Sequence, residues 1–337
     1  MGIYLDYNAS APINPDVLDY MFDVYKNSYG NADSRTHDYG EGARKIVEDA
    51  RSQVANLLDV GTGEVFFTSG STESNNIAIQ GLIDYAIEND KKHVITTTIE
   101  HKAVLETVKS LEKHGFEIDL VSPDESGRIA VEDVISLVKD NTLLVSIMHA
   151  NNETGIIQPV KEIGNYLSEK GVLFHIDATQ TCGKLVKELR ELKYDMLSLS
   201  AHKLSGPQGV GALILRKKRY KLPPVKAITY GGQQEHGIRP GTIPVALVAG
   251  LGKACEIANE NYEKNLVAYT EKKQMVLSLI ADSGLDISIN GDQNYCMPNT
   301  VNISISGVES EALMLSSKQY CGSSNGSACT SHDYSPS

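Results

Sequence analysis

Short apolar runs rich in β-branched and aromatic residues alternate with helical periodicity along the first two thirds of the chain. Between Ala43 and Leu58, apolar residues recur at steps of three and four, so they share one face of a helix. The short runs predict strands at 65–68, 93–97, 118–121, 143–147, 173–176, 196–200 and 212–215. The stretches between many of them predict helices at about 74–87, 102–114, 131–138 and 160–169.

The regions on either side of this alternation have a different pattern. The first twelve residues predict a short strand and turn, and a polar stretch at 27–42 follows a first helical segment. After residue 215 come a Gly-rich loop at 231–241 and a long helical region from about 244 to 281, with a break expected near 259–261. Because strands alternate with helices, we expect a mainly parallel sheet covered on both faces, with ligands bound at the carboxyl ends of its strands.

Charge and cysteine content narrow the class of protein. The 337 residues carry 31 Lys plus Arg and 43 Asp plus Glu, a formal net charge of −12. Direct binding of nucleic acid or an anionic membrane needs a basic surface, and a net negative charge does not predict one. Five widely spaced cysteines do not fit a disulfide scaffold and favour a reducing, cytoplasmic setting. The sequence predicts neither a signal peptide nor a membrane helix.

The first sheet strand leads into a segment of small polar residues, Thr68-Ser69-Gly70-Ser71-Thr72-Glu73-Ser74-Asn75. Exposed N–H groups and hydroxyls at a helix N-terminus suit a phosphate group. The same residues also suit an ordinary helix cap. The segment is not a Walker loop, because it lacks the Gly-Lys-Ser/Thr of that motif.

The fifth predicted strand ends in His175-Ile176-Asp177, and alternation places His175 and Asp177 on the same face. A carboxylate at this strand end can hold a protonated ring nitrogen, or it can cap the next helix. A metal site formed by His175, Asp177 and His202 is a third interpretation, but no spacing typical of metal ligands supports it.

Lys203 follows the sixth predicted strand in Ser200-Ala201-His202-Lys203. Desolvation there favours the uncharged amine and Schiff-base chemistry with a carbonyl, whereas the alternative is a side chain that extends to solvent. A phosphate loop, an acidic partner for a ring nitrogen and a Schiff-base lysine together meet the needs of pyridoxal phosphate.

With these sites in place, the sequence resembles the cysteine desulfurases, pyridoxal-phosphate-dependent enzymes of the class V aminotransferase-like family. The end of the chain is similar to their long catalytic-loop class. The matching stretches cover almost the whole chain in family order: Leu5-Asp6-Tyr7-Asn8-Ala9, Thr68-Ser69-Gly70-Ser71-Thr72-Glu73-Ser74-Asn75-Asn76, Glu100-His101-Lys102-Ala103-Val104, Asn151-Asn152-Glu153-Thr154-Gly155, Asp177-Ala178-Thr179-Gln180, Ser200-Ala201-His202-Lys203, Arg239-Pro240-Gly241-Thr242 and Ser323-Ser324-Asn325-Gly326-Ser327-Ala328-Cys329.

The resemblance implies the pyridoxal-phosphate-dependent transferase fold of type I. Its large α/β domain, with a mainly parallel seven-stranded sheet, would span 13–250. A smaller α+β domain would combine 1–12 with 251–337. The resemblance also implies a homodimer in which Thr242 reaches the phosphate group bound by the partner subunit.

By matching position, the resemblance implies a role for each site residue. Lys203 forms the Schiff base with the cofactor and moves protons, and His101 stacks on the ring as a possible acid or base. Asp177 pairs with the pyridine nitrogen, Gln180 reaches the phenolic oxygen, and Asn152 contacts cofactor or substrate carboxylate. The implied phosphate-side residues are Ser71, Thr72, Ser200 and His202. No metal is implied.

Cys329 is the implied nucleophile, in a run of small polar residues that predicts an exposed loop able to carry a persulfide. A free thiol with a pKa near 8.5 is only about 3% ionised at pH 7, so ionisation alone contributes at most about 2 kcal/mol of activation. Cys321 is expected to be structural, with a relay thiol as the alternative.

The implied reaction converts L-cysteine to L-alanine and leaves a persulfide on Cys329. The sulfur would pass to an acceptor or scaffold protein for iron–sulfur cluster assembly, tRNA thiolation or DNA phosphorothioation. The alternatives are a selenocysteine lyase or another class V aminotransferase, and a non-enzymatic sulfur carrier.

Family members extend tens of residues beyond the catalytic loop and include an arginine that clamps the substrate. We therefore expect a chain that ends at Ser337 to be truncated or impaired in substrate binding.

Overall fold

The structure is a computed structural model that describes residues 2–325. Its strands are β1 (Ile3–Tyr4), β2 (Val65–Thr68), β3 (His93–Thr97), β4 (Glu117–Val121), β5 (Thr142–Met148), β6 (Leu173–Asp177), β7 (Met196–Ser200), β8 (Gly211–Leu215), β9 (Ile287–Ile289), β10 (Ile303–Ile305) and β11 (Cys321–Gly322). Its α-helices are α1 (Pro15–Asn27), α2 (Asp38–Leu58), α3 (Ser71–Gln80), α4 (Ile83–Glu88), α5 (Lys102–Ser110), α6 (Val131–Leu137), α7 (Val160–Lys170), α8 (Val186–Glu191), α9 (Val245–Asp282) and α10 (Ser310–Ser317). Each of the seven predicted strands is present, with its ends within one residue of the prediction.

The seven strands form one sheet in the order β2-β8-β7-β6-β5-β3-β4. β8 runs antiparallel to both of its neighbours, and the other pairings are parallel. Every residue of β2, β3, β5, β7 and β8 is buried, as expected for strands covered on both faces. The predicted mainly parallel α/β fold is confirmed.

Two apolar cores separate the sheet from its helices. Phe67 belongs to the core beneath α2, α7, α8 and the start of α9. Phe66, the preceding residue of β2, belongs to the core beneath α3, α4 and α5. Neighbouring residues of a strand point to opposite faces, so the two cores lie on opposite sides of the sheet. Because helices cover both faces of the sheet, a ligand is expected to bind at the ends of the strands.

Helix α9 is about 57 Å long and continues without the break predicted near 259–261. Asn261 Nδ2 donates to the carbonyl of Ile257, one turn back, at 2.8 Å. Asn259 Oδ1 accepts from Arg190 Nη2 at 2.6 Å. Because neither side chain interrupts the main-chain ladder, the predicted break is wrong. The proposed domain boundary at 250/251 falls inside this helix and stays a prediction.

Two other predicted helices differ in their bounds. The helix expected at 74–87 is divided into α3 and α4 at Gly81, where an added Cβ would lie 2.6 Å from the carbonyl oxygen of Lys226. α2 begins at Asp38 rather than Ala43, because His37 Nδ1 caps it by accepting from the Gly40 N–H at 3.1 Å. Within residues 2–325, no helix combines the length and apolar character that a membrane crossing requires.

Gly211, the first residue of β8, controls how closely two chain segments approach at the edge of the sheet. It pairs with Thr68 at the end of β2 and with Ser200 at the end of β7. A Cβ built on Gly211 would lie 2.7 Å from Gly70 Cα and 2.4 Å from the carbonyl oxygen of Leu199. The segments that follow β2 and β7 can therefore lie side by side only because residue 211 is a glycine.

We expect Gly211→Ala to lower the free energy of unfolding by about 1–3 kcal/mol, because the added methyl group overpacks this contact. Gly42→Ala is the matched control, since Gly42 lies within α2 and an added Cβ would meet nothing within 4 Å. That control should be as stable as the parent or up to about 1 kcal/mol more stable. Urea unfolding measures both, and equal effects of the two substitutions would contradict the contact.

Candidate active site

Two adjoining cavities lie at one edge of the sheet, the first at the carboxyl ends of β5, β6 and β7 and the second at those of β2 and β7. The first has a volume of about 220 Å³ and the second of about 330 Å³. The first is lined by the predicted residues His101, Asn152, Asp177, Gln180 and Lys203. Ser71, Thr72 and His202 line both cavities, and Ser200 lines the second. Nine of the predicted site residues therefore converge, although they come from five separate segments of the chain.

Asp177 is held at the end of β6 by three hydrogen-bond donors. Its Oδ2 accepts from Asn75 Nδ2 at 2.8 Å. Its Oδ1 accepts from the main-chain N–H of Thr179 at 3.0 Å and from the hydroxyl of the same residue. The carboxylate is 6% exposed and lines the first cavity. This arrangement fixes one rotamer, in which the carboxylate can pair with a cationic nitrogen inside the cavity.

His101 combines a capping contact with a place in the cavity. It is the N-cap of α5, where its Nδ1 accepts from the Ala103 N–H at 3.1 Å. The proton of the neutral ring therefore lies on Nε2. Burial lowers the pKa of His101, and the nearby Lys203 charge acts in the same direction, against the opposing effect of Asp177. A neutral imidazole thus lines the first cavity at pH 7.

The N-terminal segment forms one wall of the first cavity. Lys203 Nζ donates to the main-chain carbonyls of Asn8 and Ala9, the latter at 2.9 Å. Gln180 Nε2 also donates to the Asn8 carbonyl, at 3.0 Å. The Asn8 side chain in turn donates to Thr300 Oγ1 at 3.0 Å. Asn8 belongs to one of the stretches that resemble the cysteine desulfurases, but the resemblance implies no role for it.

The second cavity has the features of an anion site. Gly70, with φ of +150°, turns the chain into α3, whose first residues Ser71 and Thr72 line the cavity. On the opposite side, Ser200 Oγ lies 2.9 Å from His202 Nδ1. Burial, followed by the charges of Lys203 and Lys184, lowers the pKa of His202 to about 4, so its ring is neutral. Hydroxyls and the N-terminus of a ten-residue helix suit a phosphate group.

The interpretation of His175 as a metal ligand is wrong. Its Nδ1 lies 2.8 Å from Ser146 Oγ and its Nε2 lies 3.0 Å from Ser198 Oγ, so both ring nitrogens are used inside the sheet. Burial lowers its pKa to about 4. In the described part of the chain, no group of three or more His, Cys, Asp or Glu side chains is arranged to hold a metal ion.

Thr242 is exposed and lines neither cavity, so it lies apart from the other predicted residues. The loop before it is tied to the sheet by Glu235, a buried residue that pairs with Arg51 at 2.7 Å and accepts from the Phe67 N–H at 2.7 Å. Arg239 in the same loop pairs with Glu73 at 3.1 Å. The loop is therefore fixed, with Thr242 at the surface, and the role of Thr242 toward a partner subunit stays a prediction.

The predicted nucleophile, Cys329, lies outside the described residues. Ser324, five residues earlier, lines the first cavity and donates to Asp6 Oδ1 at 3.1 Å. Among the other cysteines, Cys182 and Cys255 are buried, and burial raises the pKa of Cys182 to about 12. Such a thiol is not a nucleophile at neutral pH.

Sequence reasoning missed Glu100, which is buried next to His101. Its Oε1 accepts from the Met148 N–H at 2.9 Å and from Thr97 Oγ1 at 2.7 Å. Its Oε2 has no hydrogen-bond partner among the described residues. Burial raises the pKa of Glu100 to about 8, against the effect of the two donors. A protonated carboxyl group therefore lies behind the cavity at pH 7, and only its position before His101 marked it in the sequence.

The fold and the lining of the two cavities are typical of the class V aminotransferase family. Residues 3–335 match the model of that family, and the chain belongs to it. A cysteine desulfurase IscS of Rickettsia massiliae is 43% identical over 338 residues, and the match covers 100% of this chain and 81% of that relative. A probable mitochondrial cysteine desulfurase of Dictyostelium discoideum is 43% identical over 338 residues, covering 99% of this chain and 74% of the relative. The solved structure of SspA in complex with cysteine superposes with a TM-score of 0.84 at 35% identity and covers 99% of this chain and 92% of that chain. The predicted family is confirmed.

We expect Glu100→Gln to flatten the dependence of stability on pH. Between about pH 4.5 and 8 the unfolded chain releases the Glu100 proton and the folded chain keeps it, so stability is lost as pH rises through this range. The contribution is at most about 1.4 kcal/mol per pH unit. Urea unfolding from pH 5 to 9 measures it, with Glu106→Gln, an exposed substitution on α5, as the control. A difference between parent and Glu100→Gln that stays constant across this range would show that Glu100 does not titrate there.

Proposed function

We propose that this protein is a pyridoxal-phosphate-dependent cysteine desulfurase that converts L-cysteine to L-alanine and leaves a persulfide on Cys329. The observation that carries the proposal is the convergence of Lys203, Asp177 and the start of α3 on two adjoining cavities. That convergence occurs in a chain 43% identical to a cysteine desulfurase over its full length. A relative of similar fold has been solved with cysteine bound, which supports the substrate.

The described residues fit pyridoxal phosphate. Asp177 and Lys203 line the first cavity, so the ring nitrogen and the aldehyde carbon each have a group of suitable chemistry there. Ser200 and the N-terminus of α3 line the adjoining cavity, where the phosphate group would lie. When bound, the cofactor supplies an electrophilic aldehyde and a ring that accepts an electron pair from the substrate Cα.

Each residue of the cavity then has a distinct task. The amine of Lys203 holds the aldehyde and afterwards takes the proton from Cα. The carboxylate of Asp177, fixed by Asn75, stabilises a protonated ring nitrogen. The neutral ring of His101, which lines the same cavity, would pack against the cofactor ring without competing for Asp177 as a second cation. Asn152 and Gln180 supply amide groups at the rim of the same cavity.

With the bound cofactor as the electron acceptor, the groups that react in sulfur transfer are the substrate sulfur and the Cys329 thiol. The thiolate attacks the sulfur of L-cysteine, so an S–S bond forms while the C–S bond breaks. The electron pair of the broken bond stays with the carbon fragment, which takes up protons and leaves as L-alanine. One thiol and one cysteine give one persulfide and one alanine, so no external oxidant is required. Cys329 lies five positions after Ser324, a span of at most about 18 Å, which allows the thiol to reach the cavity.

The proposal extends to the partners of the enzyme. The exposed position of Thr242 and the exposed apolar side chains of Phe22 and Tyr25 on α1 support a homodimer. The persulfide would pass to an acceptor or scaffold protein that serves iron–sulfur cluster assembly, tRNA thiolation or DNA phosphorothioation. The net charge of −12 favours a protein acceptor over direct contact with nucleic acid. The reactive thiol favours a reducing compartment such as the cytoplasm.

Lys203→Ala should abolish covalent retention of the cofactor. After incubation with pyridoxal phosphate and reduction with borohydride, the parent should keep the cofactor absorbance through denaturation and gel filtration. The variant should lose it, because no other described amine lies in the first cavity. Lys226→Ala, which removes an exposed lysine, is the control and should behave like the parent. Retention by the Lys203→Ala protein would place the Schiff base elsewhere.

Cys329→Ser should retain the cofactor absorbance and stop both persulfide and alanine formation from L-cysteine. Cys321→Ser, the same change eight residues earlier, should still form the persulfide on Cys329. Mass spectrometry of the protein and amino-acid analysis of the products check both. If Cys329→Ser still formed a protein persulfide and released alanine from L-cysteine, the mechanism would be wrong. Turnover of selenocysteine alone by that variant would instead favour the lyase alternative.

A further inference from the structure

We propose that Lys184 is a positioning residue that fixes the Lys203 segment and, through its positive charge, favours the uncharged form of the Lys203 nitrogen. This inference rests on the proposed function, because it concerns how Lys203 is prepared for the cofactor. Neither the family resemblance nor the sequence patterns assigned any role to Lys184.

Lys184 joins two turns that follow neighbouring strands. Its Nζ donates to the main-chain carbonyl of Gln180 at 2.9 Å and to the main-chain carbonyl of Lys203 at 3.1 Å. Gln180 belongs to the turn after β6 and Lys203 to the turn after β7. A single ammonium group therefore ties the two turns that carry cavity residues.

The preceding residue makes this contact sterically feasible. Gly183 has φ of +76°, and a Cβ added to it would lie 3.0 Å from the Cβ of Leu204. Glycine at 183 thus lets the turn after β6 approach the residue next to Lys203. From that position the half-buried side chain of Lys184 reaches the Lys203 carbonyl.

The two lysines also share a hydrogen-bonded cluster. Lys184 bonds to the Gln180 carbonyl, the Gln180 side chain bonds to the Asn8 carbonyl, and Lys203 bonds to that same carbonyl. Burial, followed by repulsion from Lys203, lowers the pKa of Lys184 to about 8. At pH 7 Lys184 is still mostly charged. Electrostatic coupling is reciprocal, so the Lys184 charge disfavours a second positive charge on the Lys203 nitrogen.

This charge has a chemical use. Only an uncharged amine can add to the cofactor aldehyde, a step that forms a C–N bond and releases one water molecule. A neighbouring cation is one recognised way to activate such a lysine. Among the described residues that line the first cavity with Lys203, the other titratable groups are Asp6 of the N-terminal segment, His101, Asp177 and His202. Both histidines are neutral at pH 7, so of these groups and Lys184, only Lys184 carries a positive charge.

The test is a spectroscopic titration of the full-length protein loaded with pyridoxal phosphate. The readout is the pH midpoint at which its visible absorbance changes, which reports protonation of the Lys203 nitrogen and does not depend on turnover. Lys184→Gln keeps a hydrogen-bond donor but removes the charge, so it should raise the midpoint by about 0.5–1 pH unit, a three- to tenfold change in proton affinity. Lys184→Arg keeps the charge and should stay within about 0.2 unit of the parent.

The matched control is Lys187→Gln, the same charge change at an exposed position of α8, and it should leave the midpoint unchanged. If Lys184→Gln does not fold, Lys184→Met provides the same loss of charge with an unbranched chain. An unchanged midpoint in the folded neutral variant, or an equal shift in Lys187→Gln, overturns the proposal. Failure of the parent itself to develop visible absorbance would instead overturn the proposed function, so the two failures are distinguishable.

Discussion

The reversed strand β8 is the constraint on which the rest of the site depends. It is inserted between β2 and β7, and its first residue, Gly211, pairs with the last residue of each neighbour, Thr68 and Ser200. The segment after β2 becomes the start of α3, and the segment after β7 carries Lys203. One glycine without a side chain thus sets the spacing between the anion cavity and the reactive lysine. A bulkier residue there would press against Gly70, at the start of α3, and push the two halves of the site apart.

Burial controls the charge pattern around the cavities more than ion pairing does. His101, His175 and His202 all have lowered pKa values, and burial is the largest cause in each. Burial likewise keeps Glu100 protonated at neutral pH. The charges that remain around the first cavity are the carboxylates of Asp177, fixed by its three donors, and Asp6, together with the ammonium groups of Lys203 and Lys184. Asp6 is bonded to Ser324, so Asp177, held at the end of β6, is the carboxylate positioned to pair with a cationic ring nitrogen.

Most of the fold could be predicted from the sequence, because buried parallel strands are continuous apolar runs with clear ends. The strand ends then identified Asp177 and Lys203 as neighbours. What the pattern could not reveal depends on side-chain contacts between distant segments. Asn261 looked like a helix breaker, yet it bonds back to its own helix at Ile257. The hydrophobic pattern does not mark Asn8, Glu100 or Lys184. The position of each depends on burial or on a contact with a residue far along the chain.

The N-terminal segment links the two groups that the proposed chemistry requires. β1 pairs in parallel with β11, with Ile3 opposite Cys321. Just beyond β1, Asp6 accepts from Ser324, on the approach to Cys329, and the Asn8 carbonyl accepts from Lys203. The span from 3 to 8 therefore fixes Lys203 relative to Ser324, near the end of the described residues. These contacts join residues separated by as many as 318 positions, so this wall of the first cavity depends on contacts between the first and last described segments of the chain.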